Sequence, residues 1–241
     1  MRAAIMLDTL FEDSAIIVVN KPSGLLTQAP AGIDSLEARV KSHVIDNGGK
    51  IGKNGSCYLG VPHRLDRPSS GILLFGKNSR ATRHISEQLE NREVDKVYWA
   101  LLEGKVEPAE ATWIDYLRKI PDRPIAELAP PIDPLAREAI LHYRVRRCLN
   151  TAHGVVTWLE IRLETGRMHQ IRIQSASRGF PLLGDVLYGS RRPFGEPVED
   201  ERLRAIALHA RSIALRHPVS KEPFALDAPP PGAWSSFIDF Q

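Results

Sequence analysis

Short apolar runs that end in turn residues recur along this chain, and they constrain its fold more than any other feature. The run at 15–20 is rich in β-branched residues and stops at Lys21-Pro22-Ser23-Gly24, as expected of a buried strand that enters a tight turn. Such runs outnumber the helix-like segments, and short turns join many of them. Strands are predicted at 15–20, 71–77, 96–102, 139–148, 155–163, 208–215 and 224–226.

Helical patterning is confined to three segments. Asp34-Ser35-Leu36-Glu37 has the form of a capping box and predicts a helix that ends near 47–49. Ser79 is the predicted cap of a second helix that runs to Arg92, and a short third helix is predicted at 168–177. Many strands and few helices favour an α+β fold with a largely antiparallel sheet, which we expect to form one domain over 1–241.

The segment 121–136 interrupts this pattern. It contains five prolines, which cannot donate to a strand ladder and which break helices. We therefore expect a surface loop or insertion there, without a regular element.

Composition excludes several classes of protein. No apolar run approaches the roughly 18 residues of a membrane span, and the start of the chain lacks the basic front of a signal peptide. Cys57 and Cys148 are too few for a disulfide framework, which favours a reducing cytoplasm. His169, His209 and His217 lack the spacing of metal ligands, so no metal site is predicted.

Charge is distributed unevenly. Residues 1–140 carry 18 basic and 19 acidic residues, whereas 141–220 carry 13 basic and 7 acidic residues, and all 13 are arginine. The planar guanidinium suits phosphate and stacks on bases, so the later half has the charge pattern of a polyanion binder. A solvated, salt-bridged surface is the alternative on charge alone.

The stretch from His63 to Gly71 is the most informative segment for chemistry. It places a dense polar loop, HRLDRPSSG, directly before a strong strand. Arg64 and Asp66 are two positions apart, so they project the same way from an extended loop. A carboxylate beside guanidinium groups stays ionised and can act as a nucleophile or a base. The alternative is that Asp66 caps a turn and pairs with Arg67.

Two other positions carry weaker signals. Arg167 follows a glycine turn at a predicted helix start, where an anion is favoured, although an ordinary surface arginine fits as well. Tyr98 lies on the strand at 96–102 and either faces a cleft or packs across strands.

Taken in order, these stretches resemble the RluA-type family of RNA pseudouridine synthases. The matching segments are VVNKPSGLLTQ at 18–28, HRLDRPSSGILLFGKN at 63–78, KVYWALLEG at 96–104, LETGRMHQIRIQ at 163–174, LLGDVLYG at 182–189 and LHARSIALRHP at 208–218. The resemblance implies a mixed, mostly antiparallel sheet that is divided by a catalytic cleft and flanked by helices. It also implies ribosomal or transfer RNA as the partner and no metal or organic cofactor.

The resemblance also assigns roles. Asp66 matches the catalytic aspartate, Arg64 the arginine that fills the gap left by the flipped base, and Tyr98 the tyrosine that stacks on uracil. Arg167 matches the arginine that pairs with the aspartate. Five further residues are predicted to contact RNA, with pocket support or a salt bridge as the alternative for Lys21 and a loop hydrogen bond for His63. The set is Lys21, His63, Arg67, His169 and Arg172.

The family's extra N-terminal RNA-binding domain has no counterpart in the sequence given, and a monomer is expected. Two other functions stay open at this stage: a catalytically silent RNA-binding module, and a nucleoside hydrolase or base glycosylase that cleaves the same bond with water. Whether Asp66 attacks covalently or removes a ribose proton also stays open.

Overall fold

The computed structural model describes residues 7–49, 57–151 and 154–238. Among them are three α-helices, α1 (Leu36–Asp46), α2 (Ser79–Glu90) and α3 (Gln170–Ala176). The strands are β1 (Thr9–Glu12), β2 (Ile16–Lys21), β3 (Ser70–Gly76), β4 (Asp95–Glu103), β5 (Glu110–Lys119), β6 (Ala126–Leu128), β7 (Arg137–Thr151), β8 (Gly154–Leu163), β9 (Leu208–Arg216) and β10 (Pro223–Asp227).

All these strands belong to one sheet, in the order β1-β2-β3-β9-β4-β8-β7-β5-β6, with β10 paired to β9. Every pairing is antiparallel except that of β3 with β9, which is parallel and joins only Ser70 to His209 and Gly71 to Ala210. This short contact is where the half of the sheet that contains β1, β2 and β3 meets the rest. The predicted α+β fold with a mixed, mostly antiparallel sheet is therefore confirmed.

Strand β2 shows why its sequence is continuously apolar. Ile17 and Val19 pack into the core that α1 covers, while Ile16 and Val18 pack into the core on the opposite face, with α2. A strand covered on both faces has no solvent side, so its residues do not alternate with polar ones.

The other half of the sheet carries α3. Ile171 packs with β4, β7 and β8, and Ile173 packs against β5 and β7. On the opposite face, Trp234 and Ile238 of the C-terminal segment cover a separate apolar cluster. No helix in the described ranges is long and apolar enough to cross a membrane.

Several local predictions need correction. The cap of α1 is Ser35, whose hydroxyl accepts from the Ala38 amide at 3.2 Å, and the cap of α2 is Asn78 rather than Ser79. The prediction of an irregular segment at 121–136 is wrong for Ala126–Leu128, because the backbone there pairs with β5 as strand β6. Strands β1 and β5 were not predicted at all.

Candidate active site

Asp66 lies in the loop that precedes β3, and the rest of the loop is fixed to the turn that follows β2. Leu65, its neighbour, is buried in the core beneath α1. The Thr27 hydroxyl donates to the Leu65 carbonyl at 2.9 Å and accepts from the Leu65 amide at 3.3 Å. The Thr27 side chain thus satisfies the backbone carbonyl and amide of Leu65, which fixes the position of the loop that holds Asp66.

Lys21, at the end of β2, also supports the loop that holds Asp66, and its side chain is completely buried. Its ammonium donates to the carbonyls of Pro22 at 2.9 Å, Leu25 at 2.8 Å and Arg67 at 3.2 Å. Burial lowers the pKa of Lys21 to about 7, although the nearby Asp66 carboxylate favours the charged form. The prediction that Lys21 contacts RNA is contradicted by its complete burial. Lys21 supports the pocket loop, and it forms no salt bridge among the residues that the structure describes.

His63 and Arg67 also bind backbone. Nε2 of His63 accepts from the Leu74 amide at 3.0 Å, and burial, together with Lys96, lowers the pKa of His63 to about 4. His63 is therefore a neutral residue that hydrogen-bonds the loop to β3, and its predicted contact with RNA stays a prediction. Nε of Arg67 donates to the Gly24 carbonyl at 2.8 Å, and its contact with RNA stays a prediction.

The guanidinium partner of Asp66 is Arg172, which α3 contributes. Nη1 of Arg172 donates to Oδ2 of Asp66 at 3.1 Å. On its other edge Arg172 donates from Nε and Nη2 to both oxygens of Asp185, at 2.7 and 2.8 Å. Burial opposes the charge of Arg172, but the two carboxylates overcome it and raise the pKa of Arg172. Arg172 is 4% exposed and is an ion-pair partner of Asp66, while its predicted contact with RNA stays a prediction.

Arg167, which was predicted to pair with Asp66, does not. Its side chain is exposed, and its Nε donates to the backbone carbonyl of Glu138 at 2.8 Å. The resemblance assigned the pairing to Arg167, which precedes α3, whereas Arg172 within α3 forms it.

His169 brings a second ring to the same carboxylate. It has left-handed backbone angles (φ 54°) as the residue before α3, and its Nε2 lies 3.6 Å from Oδ2 of Asp66. Nδ1 of His169 lies 2.8 Å from the hydroxyl of Tyr188, a residue that the sequence did not single out. Burial lowers the pKa of His169, the opposing pull of Asp66 notwithstanding, so the imidazole is largely neutral at pH 7.

Tyr98 faces the cleft from β4. The register between β4 and β9 shifts between Val97 and Tyr98, and such a bulge re-aims the side chain that follows it. Burial, and then the Asp66 carboxylate, raise the pKa of the Tyr98 phenol. Its hydroxyl is therefore protonated at neutral pH.

Asp66, Tyr98, His169 and Arg172 border one cavity of about 480 Å³, a size typical of small-ligand sites. Besides Arg172, its lining includes three basic residues, Arg64, Lys119 and Arg167. As far as the described ranges show, none of the three basic residues forms an ion pair, whereas Arg118, next to Lys119 in the chain, binds both Glu127 and Asp133. The described ranges hold no cluster of three or more His, Cys, Asp or Glu residues that could bind a metal ion.

Sequence reasoning missed Thr27, Lys119, Asp185 and Tyr188 as parts of this site. Asp185 and Tyr188 lie in the stretch LLGDVLYG at 182–189, which resembles the family's sequence but by itself predicts no catalytic or binding role. The signal was a charged and an aromatic residue in a short segment that is neither helix-like nor strand-like.

Comparison with known proteins agrees with this geometry. Residues 15–177 match the family model described as RNA pseudouridylate synthase. The chain is 34% identical to an RNA pseudouridine synthase of Synechocystis sp. that is called uncharacterized, over 97% of this chain and 68% of that protein. It is 32% identical to ribosomal large subunit pseudouridine synthase D of Xanthomonas campestris, over 94% of this chain and 67% of that protein.

A solved structure shares the fold. Human RNA pseudouridylate synthase domain containing 1 superposes with a TM-score of 0.73 and 20% sequence identity, over 94% of this chain and 84% of that one. With the family model spanning most of the chain, the protein belongs to the RluA-type family of RNA pseudouridine synthases, which are isomerases.

Proposed function

We propose that this enzyme isomerises specific uridines of ribosomal RNA in the cavity at Asp66, with Asp66 as the catalytic residue. One observation carries the assignment. Oδ2 of Asp66 is anchored by Arg172, whereas Oδ1 accepts no hydrogen bond within the described residues, so one oxygen is available to a substrate. The carboxylate side chain is 20% exposed, enough to reach a ligand in the cavity.

The reaction requires a base that is detached and held. Uracil must leave C1′ of the ribose, turn over and rejoin through C5. A base within a stack cannot be reached, so it must first be flipped out, at a cost of a few kcal/mol. Arg64 is exposed and without an ion-pair partner among the described residues, so it is free to fill the gap that the base leaves. Stacking of uracil on Tyr98 offsets about 1–3 kcal/mol of the flipping cost.

The free oxygen of Asp66 suits either route to cleavage of the glycosidic bond. It can attack C1′ as a nucleophile, or it can take a ribose proton as a base. For the later removal of the C5 proton, the raised pKa of Tyr98 is informative. A proton released at C5 needs a group that is deprotonated at neutral pH, which supports Asp66 over Tyr98 as its acceptor.

Ribosomal RNA is the first substrate to test, because relatives such as the Xanthomonas protein are named for the large ribosomal subunit. Lys119 and Arg167 line the cavity, so they can bind phosphates that flank the target nucleotide. Because such contacts between cationic side chains and phosphates are screened by salt, we expect RNA affinity to fall as salt concentration rises.

Release of tritium from [5-³H]uridine RNA tests the proposal, since isomerisation displaces the C5 hydrogen. Wild type, Asp66→Ala and the control Asp95→Asn are each given ribosomal and transfer RNA, and RNA binding is measured separately. Asp95 is an exposed aspartate that pairs with Arg162 and does not line the cavity, so its replacement matches the charge change away from the site. We expect release by wild type and Asp95→Asn, none by Asp66→Ala, and similar RNA binding by all three.

Other outcomes contradict specific parts of the proposal. Release by Asp66→Ala at the wild-type rate would remove Asp66 from the chemistry. Free uracil among the products would indicate hydrolysis instead of isomerisation. Release from transfer RNA alone would reject the ribosomal assignment and leave the chemistry intact.

A further inference from the structure

Asp185 shares the guanidinium of Arg172 with the catalytic aspartate. Asp185 is 1% exposed and binds the Nε and Nη2 edge of Arg172 through both of its oxygens. Of the remaining donors, Nη1 contacts Asp66, and it does so through Oδ2. The same cation is thus bidentate toward one carboxylate and monodentate toward the other.

The orientation of Arg172 leaves Oδ1 of Asp66 free. A guanidinium prefers to bind a carboxylate with two parallel hydrogen bonds. Asp185 holds the Nε and Nη2 edge and thereby fixes the orientation of Arg172 in which one nitrogen, Nη1, contacts Asp66. Without Asp185, Arg172 could rotate and present two donors to both oxygens of Asp66. Asp66 would then have no oxygen left for the ribose or for a proton.

The charges point the same way. One guanidinium between two carboxylates leaves a net charge of −1 on the group, whereas a simple Arg172–Asp66 pair would be neutral. Because opposite charges attract strongly in a buried site, an undivided Arg172 would hold the electron pairs of Asp66 more tightly. Asp185 weakens that hold without removing it.

Neighbouring residues keep Asp185 and Arg172 in place. The ring of Tyr188 lies over the Arg172 guanidinium, 5.0 Å from its central carbon, and restricts its rotation. The Tyr188 hydroxyl is held by the backbone of Ala126, donating to its carbonyl at 3.2 Å and lying 3.3 Å from its amide. Before Asp185, Gly184 has φ 81° and no room for a Cβ, which would lie 2.5 Å from the Ala205 carbonyl oxygen.

We propose that Asp185 is a positioning residue for the isomerisation: it holds Arg172 so that a single nitrogen reaches Asp66 and Oδ1 stays available to the substrate. The inference rests on the function proposed above. It adds that RNA binding does not depend on Asp185, because Asp185 is buried and, within the described residues, its side chain hydrogen-bonds to Arg172 alone.

The test compares Asp185→Asn with Asp115→Asn, using single-turnover tritium release at saturating RNA together with KM and RNA affinity. Asp115 is a matched control, because it forms the other ion pair near α3, with Arg178 at 2.8 Å, and does not contact Asp66. We expect Asp185→Asn to lower kcat about 100-fold, the size of effect that follows from misplacing a reacting group by 1 Å. We expect KM and RNA affinity to stay within about twofold of wild type in the same experiment.

A purely structural role predicts a different result. Loss of kcat to the same extent in Asp115→Asn, or a raised KM with unchanged kcat in Asp185→Asn, would overturn the inference, as would a kcat for Asp185→Asn close to that of wild type. If circular dichroism shows that Asp185→Asn does not fold, Asp185→Ser is measured by the same criteria, since a hydroxyl can accept one guanidinium hydrogen bond in less space. An inactive wild type would instead refute the proposed function, so the two failures are distinguishable.

Discussion

Replacement of Gly71 by alanine tests whether the contact between β3 and β9 holds the catalytic loop in place. Gly71 is the second residue of β3, and one of only two residues of that strand that pair with β9. Its φ is 116°, a conformation that L side chains rarely adopt. A Cβ there would lie 2.3 Å from the carbonyl oxygen and 2.5 Å from the amide nitrogen of Ala210. Because these are backbone atoms of a central strand, no side-chain rotation relieves the clash.

Two separate costs follow from this geometry. Backbone strain for a non-glycine residue at such a φ is about 1–3 kcal/mol. Overpacking against β9 adds about 1–3 kcal/mol. Gly71→Ala should therefore lower the free energy of unfolding by about 2–6 kcal/mol, a large share of the roughly 5–15 kcal/mol that domains of this kind possess. Because Gly71 lies five residues after Asp66, the shift should also lower kcat.

Urea unfolding, followed by tryptophan fluorescence, measures the first effect, and tritium release by the folded fraction measures the second. Gly32→Ala is the matched control: its φ is 86°, but nothing lies within 4 Å of its added Cβ. We expect a cost of about 1 kcal/mol there, since only the backbone conformation is penalised. Equal destabilisation by the two variants would refute the argument, because the clash with Ala210 would then contribute nothing.

Two further predictions concern buried cations. Arg172→Lys should lower kcat about 100-fold with little change in RNA affinity, because a single ammonium cannot reproduce the guanidinium that binds two carboxylates. The control Arg167→Lys should keep the wild-type kcat. If tritium-release assays show the larger loss of kcat in Arg167→Lys, Arg167 and not Arg172 is the partner of Asp66. Lys21→Met should remove a pH dependence of the free energy of unfolding. The pKa of Lys21 is about 7 in the folded protein and 10.5 for an unperturbed lysine, so between these values the unfolded state binds more protons than the folded state. The contribution of Lys21 to stability therefore rises with pH in this range. Urea unfolding at pH 7 and pH 9.5 checks this, and a constant difference between wild type and variant at both pH values would contradict it.

Most of the sheet could be predicted from sequence because its strands are short, apolar and closed by turn residues. The run at 15–20 differs from β2 by one residue at each end. The loop around Asp66 could be predicted as a candidate site because it is densely polar. Packing of the buried strand that follows it does not require so many polar residues. Both signals are local, so a single sequence contains them.

Strand β5 was missed because its pattern is ambiguous. Its buried residues are Trp113 and Leu117, four positions apart. That spacing puts two residues on one face of a strand and also on one face of a helix, so periodicity does not distinguish the two. Strand β6 is only three residues long and lies among prolines. Its pairing depends on β5 and on the hydroxyl of Tyr188, both distant in sequence.

The choice between Arg167 and Arg172 shows where local reasoning ends. Both arginines lie within LETGRMHQIRIQ, and a helix that began at 168 would have put Arg167 beside its N-terminus. The left-handed backbone at His169 delays the helix, so Arg167 stays outside it and Arg172 falls in its first turn. A buried guanidinium needs carboxylates close by, and those of Arg172 come from positions 66 and 185. Neither separation is a helical or strand period, so the pair is a property of the packed fold. Arg172 already pairs with Asp185 when it binds Asp66, so the three groups together keep a net charge of −1. This is why the proposed role falls to the buried Asp185 and not to a carboxylate at the surface.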